Sequence, residues 1–158
     1  MNIKNSSGFT IIEVLIAMVI LSIGVLGLGI LQLTALQNTQ GGHLRTQASI
    51  LAYDIIDSMR ANIVSVTGGD YSITFAAATP DTVNCYGLDA DCTTNQMASS
   101  DLNRWRILLD NYLPAGNGQV ELLDLGGTTQ VTVTVQWLDP YSAESGNEQV
   151  VLISELTQ

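Results

Sequence analysis

The sequence predicts an α+β protein in which a long N-terminal helix is followed by a C-terminal antiparallel β-sheet. An uncharged apolar run in the N-terminal part of the chain passes directly into an amphipathic helical pattern, whereas period-two alternation appears only in the C-terminal third. Helical and strand patterns that occupy separate parts of a chain are typical of α+β architecture. The 158 residues accommodate one globular domain besides the apolar run.

The apolar run predicts a transmembrane helix. Residues 14–40 carry no formal charge, and residues 14–36 are predominantly apolar. A helix of that length spans a hydrocarbon core of about 30 Å. The run exceeds the roughly 7 to 15 apolar residues of an ordinary secretory signal, and neither an AxA-like cleavage site nor a lipoprotein cysteine follows it. Its glycines either permit close helix approach or are simply tolerated in the membrane: Gly24, Gly27 and Gly29.

Glu13 is the one acidic residue in the first turns of this segment. A carboxylate at the centre of a membrane helix costs about 2.5 to 3.5 kcal/mol on insertion scales. Two explanations remain open from the residues alone. Either the side chain lies at the headgroup level, near a helix N-terminus that stabilises an anion, or it meets a cation.

A second helical pattern follows the membrane run. Apolar residues recur there at spacings of three and four, which predicts that the same helix continues to about Asn62 with one face against a folded domain: Leu44, Ala48, Leu51, Ala52, Ile55 and Met59. Gly41 and Gly42 suggest a hinge between the two halves of this helix.

Residues 66–101 are rich in Gly, Ser, Thr, Asp and Asn and predict a surface region with one strand, "YSITFA". Cys85 and Cys92 lie within it without further zinc ligands nearby, which favours a disulfide over a metal site or free thiols, if the domain is exported. The segment "DADCTTN" resembles a calcium loop superficially. It lacks the glycine and the third ligand, so we interpret it as a solvated acidic loop and predict no metal site.

The segment "ASSDLNRWRILLDNYLP" predicts a short helix. Ser99 or Ser100 would cap it, Asp101 suits its first turn, and one buried face is predicted for four residues: Leu102, Trp105, Leu109 and Tyr112. Three strands then close the chain. The segments "QVELLDL" and "TQVTVTVQWL" flank a Gly-Gly turn and predict a hairpin, and "EQVVLISEL" predicts the last strand.

The charge distribution argues against nucleic-acid binding, and the lack of catalytic motifs argues against an enzyme. Five Lys and Arg stand against fifteen Asp and Glu, and the cations beyond Arg45 are only Arg60, Arg104 and Arg106, so the basic patch that phosphate backbones require is missing. No nucleophile elbow, HExxH motif or phosphate loop occurs, and His43 is the single histidine. We therefore expect neither an enzyme nor a cofactor.

The N-terminal segment "GFTIIEVLIAMVIL" resembles the class III signal of type IV prepilins, which has Gly, Phe, Thr, two aliphatic residues, Glu and an apolar helix. The segments "LAYDIIDSMRAN" and "CTTNQMASSDLNRWRILLDNYLPAGNGQV" are similar to the minor pilin family called type IV pilus modification protein PilV. This resemblance implies a pilin fold. It also implies that prepilin peptidase cleaves after Gly8 and methylates Phe9, whose new amino group on a neighbouring subunit would pair with Glu13.

The resemblance implies a leader peptide at residues 1–8, a transmembrane and assembly half of the helix at 9–42, and a periplasmic pilin domain at 43–158. The single Lys4 favours a cytoplasmic N-terminus in the bacterial inner membrane. The implied function is that of a minor pilin near the pilus tip, supporting assembly, twitching motility and adhesion. The implied partners are other minor pilins, the major pilin, the inner-membrane assembly platform and a tip adhesin.

Two alternatives stay open. A minor pseudopilin of a type II secretion system shares the N-terminal motif, and a single-pass membrane binding module would keep the leader uncleaved.

Overall fold

A computed structural model describes residues 10–81, 84–87, 91–140 and 146–157. The helices are α1 (Ile11–Ala61), α2 (Ile63–Gly68) and α3 (Thr94–Tyr112), and the strands are β1 (Asn117–Asp124), β2 (Thr128–Leu138) and β3 (Asn147–Thr157). The chain divides into two compact units, residues 1–39 and 40–158. The α+β class with a long first helix and a C-terminal antiparallel sheet is confirmed.

Helix α1 continues without interruption through Gly41 and Gly42 and ends one residue before the predicted Asn62. A Cβ atom built on Gly41 would lie 2.9 Å from the Oδ2 atom of Asp139, which follows β2. Because Gly41 has no side chain, Asp139 at the end of β2 can lie close to the helix backbone there. The hinge at these two glycines remains a prediction.

The core of the unit formed by residues 40–158 lies between α1, α3 and one face of the sheet. The predicted amphipathic stripe is confirmed, because six α1 residues are buried: Ala48, Leu51, Ala52, Ile55, Ile56 and Met59. They form one apolar cluster with Leu102, Trp105 and Leu109 of α3 and with the inward residues of β2. Burying large apolar side chains stabilises such a unit by about 1.5 to 3 kcal/mol each.

The sheet has the order β1-β2-β3, with both pairs antiparallel. On β2, buried residues that face the core alternate with half-buried polar residues, as the sequence pattern predicts. The buried residues are Thr129, Val131, Val133, Val135 and Trp137. Gly126 and Gly127 have φ angles of 78° and 111° in the β1–β2 turn, a conformation that favours glycine. The predicted hairpin is therefore confirmed.

The structure corrects the prediction for the region between α1 and β1. Helix α3 begins at Thr94 with Thr93 as its N-cap, so neither Ser99 nor Ser100 caps it. The Thr93 side chain accepts from the Gln96 N–H at 3.3 Å, and the Gln96 side chain accepts from the Thr93 N–H at 2.9 Å. This reciprocal capping box precedes the first residue of the apolar periodicity. A prediction from the periodicity alone therefore places the start of the helix too late.

Three further predictions in this region are wrong. The "YSITFA" segment forms only an isolated bridge between Ile73 and Val120, because the chain turns away after one residue pair. Residues 66–68, predicted as the start of the surface region, belong to the short helix α2. Tyr112 is 58% exposed, since α3 ends there and only its preceding turns pack on the core.

The contact between α3 and β1 depends on a missing side chain. A Cβ atom on Gly118 would lie 2.7 Å from Cδ1 of Leu109 and closer still to the Trp105 ring. The Trp105 indole is fully buried, and its Nε1–H donates to the Leu51 carbonyl of α1 at 2.9 Å. Trp105 is thus a core residue, as the sequence predicts, and it joins α1, α3 and β1.

Candidate functional site: the exposed apolar helix

The N-terminal unit presents an apolar helical surface. In α1, residues 11–39 are all exposed, including large aliphatic side chains such as Leu26, which is 70% exposed. An 18-residue window of α1 has a mean hydropathy of 2.8 and none of it is buried, and α1 alone among the described helices is long and apolar enough to cross a membrane. A surface of this size requires lipid or other protein around it.

The hydroxyl side chains within this surface satisfy their hydrogen bonds inside the helix. The Ser22 hydroxyl donates to the Met18 carbonyl at 2.7 Å, and the Thr34 hydroxyl donates to the Ile30 carbonyl at 3.1 Å. Such bonds lower the cost of placing a hydroxyl in hydrocarbon. The three glycines have no atom within 4 Å of a built Cβ position, which leaves shallow places on the helix surface: Gly24, Gly27 and Gly29.

Glu13 lies in the first turn of α1, where its backbone N–H donates to the Thr10 carbonyl at 3.1 Å. Its side chain is exposed, and no ion pair joins it to any residue in the described ranges. Apolar residues follow it on the same helix face: Val14, Ala17, Met18 and Leu21. A carboxylate in these surroundings is accommodated either at the headgroup level of a membrane or by a cation from another chain. Gly8 and Phe9, the predicted cleavage and methylation positions, lie outside the described residues.

The second predicted site is the cysteine pair. Cys85 and Cys92 form a disulfide, with sulfurs 2.10 Å apart and Cα atoms 5.8 Å apart, and the Cys85 side chain is buried. The next residue, Tyr86, donates its hydroxyl proton to Oδ1 of Asp101 at 2.5 Å. The covalent link joins Cys85 to the segment just before α3, and the hydrogen bond joins Tyr86 to α3 itself.

Asp101 is a buried hydrogen-bond acceptor rather than a first-turn helix charge. The Tyr71 hydroxyl donates to its other oxygen at 2.5 Å, and the Asn62 side-chain amide contacts the Tyr71 oxygen at 3.3 Å. The same Asn62 amide donates to the Thr94 carbonyl at 2.7 Å, so the cluster joins the end of α1 to the start of α3. Sequence reasoning missed this cluster because its members are far apart in the chain.

All three distal cations are engaged within the fold, and Arg60 forms an ion pair with Asp57 at 2.6 Å. Arg106 donates to the Thr74 carbonyl at 2.7 Å and to the Asn117 side chain, and burial lowers the pKa of its guanidinium. Arg104 forms an ion pair with Asp54 at 3.2 Å and lies 5.6 Å from the centroid of the Tyr86 ring. These contacts hold Thr74 and Tyr86 against α3.

Stability should decline steeply above pH 10 because of Tyr71. Burial, and secondly the hydrogen bond to Asp101, raise the pKa of Tyr71 far above its ordinary value of 10. The phenol of the unfolded chain ionises near pH 10 while the folded chain keeps its proton, so high pH favours unfolding. The full stabilisation is present below pH 10, and about 1.4 kcal/mol is lost per pH unit above it.

Urea unfolding of the full chain in detergent between pH 9 and 12 measures this decline. In Tyr71→Phe the decline per pH unit should be smaller by about 1.4 kcal/mol. An identical decline in both proteins would show that Tyr71 is not the responsible group.

Two protein-family comparisons cover consecutive parts of the chain. Residues 3–29 match the prokaryotic N-terminal methylation motif, and residues 30–103 match the family described as type IV pilin Tt1218. No curated protein and no solved structure matches the chain. Pilins are structural proteins rather than enzymes. The exposed apolar helix, the methylation motif at its start and the match that follows show that residues 3–103 are similar to type IV pilins.

Proposed function

We propose that this chain is a minor pilin, which prepilin peptidase cleaves after Gly8 and methylates on Phe9, and which then enters a type IV pilus. The observation that carries the proposal is the methylation motif at residues 3–29. This motif includes the start of an exposed apolar helix, with Glu13 in the first turn of that helix. A leader that is removed while the apolar helix is kept suits a subunit that passes from a membrane into a fibre.

The same helical surface serves both environments. Before assembly, residues 9–42 span the inner membrane, with the leader 1–8 cytoplasmic and the domain 43–158 periplasmic. After assembly, the apolar surface packs against the helices of other pilins, so that exposed area never meets water. The shallow places at Gly24, Gly27 and Gly29 allow close approach of a neighbouring helix.

Cleavage after Gly8 creates a new amino group on Phe9, which can supply the cation that Glu13 does not find among the described residues. The amino group of Phe9 on a neighbouring subunit would pair with the Glu13 carboxylate, and removal of either partner would leave a charge in an apolar environment. The pair would fix the axial step between neighbouring subunits, because only one step brings both groups together.

The position near the pilus tip, and the roles in assembly, twitching motility and adhesion, follow from the similarity of residues 51–62 and 92–120 to PilV-type minor pilins. The partners on this proposal are other minor pilins, the major pilin, the assembly platform and a tip adhesin. The disulfide and the Asp101 cluster are compatible with such a role, because they fix Tyr71, Cys85 and Tyr86 relative to α3.

The test is recovery of the chain in surface fibres. In a bacterium with functional type IV pili, a tagged copy should appear in the sheared pilus fraction, and deletion of prepilin peptidase should remove it from that fraction. Recovery with a type II secretion pseudopilus, but not with pili, would favour the pseudopilin alternative. Retention in the membrane with the leader attached would favour a single-pass binding module.

A further inference from the structure

Among the described residues, strand β3 has one unpaired edge along its whole length. It pairs with β2 over eleven residues, and within the described ranges no strand lies on its other side. No other described segment forms a backbone hydrogen bond with it either. In an edge strand, alternate N–H and C=O groups point away from the sheet and can pair with another extended strand.

Most features that block such an edge are missing from the middle of β3, and its two charged residues, Glu148 and Glu155, lie toward its ends. Residues 147–157 contain no Pro, Lys or Arg, and their register with β2 has no bulge. Val151 and Ile153 stand on the outer face at mid-strand and are 47% and 64% exposed. Natural edge strands are commonly protected by charge, proline, bulges or shortness, so a long, regular and apolar edge indicates a pairing surface.

We propose that the free edge of β3 binds β3 of a second copy of this chain, antiparallel and centred on Leu152. This register overlaps all eleven residues of both strands. It places Val151 of each copy directly opposite Ile153 of the other on the outer face. Cross-strand pairs of β-branched residues stabilise a sheet, and the two sheets would join into one of six strands.

The charges on β3 are compatible with a second copy in this register. The chain has a net charge of −10, so self-association requires that carboxylates avoid one another. In the proposed register Glu155 faces Gln149 of the other copy and Glu148 faces Leu156. No described acid on β3 then faces another directly or diagonally, and like-charged pairs are the ones that destabilise a sheet. The proposal is independent of cleavage and of fibre formation.

Charge substitution at Gln149 tests both the pairing and its register. Gln149 is exposed on β3, so its replacement should leave the fold intact. Gln149→Glu would face Glu155 of the other copy twice per dimer, and Gln149→Lys would form two opposite-charge pairs. Sedimentation equilibrium of the purified full chain in detergent should give a dimer Kd raised about two- to thirtyfold by Glu and lowered by a similar factor by Lys.

Two further arms complete the experiment. Adding Glu155→Gln to Gln149→Glu should restore the wild-type Kd. Crosslinking between Val151→Cys in one copy and Ile153→Cys in a differently tagged copy should exceed several-fold that between Glu121→Cys and Leu123→Cys on the outer face of β1. A chain that stays monomeric, a Kd indifferent to charge at position 149, or crosslinking only to a different protein would each overturn the proposal.

Discussion

Gly118→Ala should lower the free energy of unfolding by about 3 kcal/mol and the Tm by roughly 10 °C. The added methyl group would lie 2.7 Å from the Leu109 side chain and closer still to the Trp105 ring. Both neighbours are fully buried, and the Trp105 indole is held by its hydrogen bond to the Leu51 carbonyl, so neither can move aside without strain elsewhere. Thermal unfolding of the full chain in detergent, followed by circular dichroism, measures the effect.

Gly42→Ala is the matched control. A Cβ atom at position 42 has no atom within 4 Å, and alanine favours a helix by up to about 1 kcal/mol over glycine. This variant should therefore unfold at the wild-type temperature or slightly above it. Equal Tm values for the two variants would contradict the close contact between α3 and β1.

Glu13→Ala should leave cleavage intact but reduce the amount of chain in sheared pili at least tenfold. Removing one member of a buried ion pair costs about 3 to 5 kcal/mol, because the other charge stays buried without a partner. Here the remaining charge would be the amino group of Phe9 on a neighbouring subunit. Quantitative immunoblots of the sheared fraction and of the membrane fraction measure incorporation and expression separately.

Glu121→Ala provides the control, since it removes an exposed acid from β1 and should incorporate like the wild type. Normal incorporation of Glu13→Ala would end the pairing hypothesis while leaving the membrane helix unaffected. Loss of cleavage in the same variant would instead assign Glu13 to recognition by the peptidase.

The regular elements of the fold could be predicted because their patterns are local. The amphipathic stripe of α1 and the alternation on β2 each reflect one buried face, so periodicity alone reveals them. The start of α3 could not be found in this way, because the capping box at Thr93 and Gln96 precedes the first buried position. Helix α2 is only six residues long, which is too short for a periodic signal.

The functional features also separate into those visible in the local sequence and those formed only by tertiary packing. Glu13 and the cysteine pair stand out against their surroundings in the sequence, an acid in an apolar run and two cysteines in one loop. The Asp101 cluster has no such contrast, because Asn62, Tyr71, Tyr86 and Asp101 meet only through tertiary packing. The free edge of β3 likewise depends on strand order, which the sequence of one strand does not contain.

The central claim is that this chain is cut after Gly8 and retains its apolar helix. Mass spectrometry of the N-terminal peptide, from the chain recovered in sheared pili, tests it most directly. The account predicts a peptide that begins at Phe9 and is heavier than the encoded peptide from Phe9 by one CH2 unit, because a methyl group replaces one hydrogen of the amino group. A peptide that begins at Met1, or at any residue beyond the apolar helix, would contradict it.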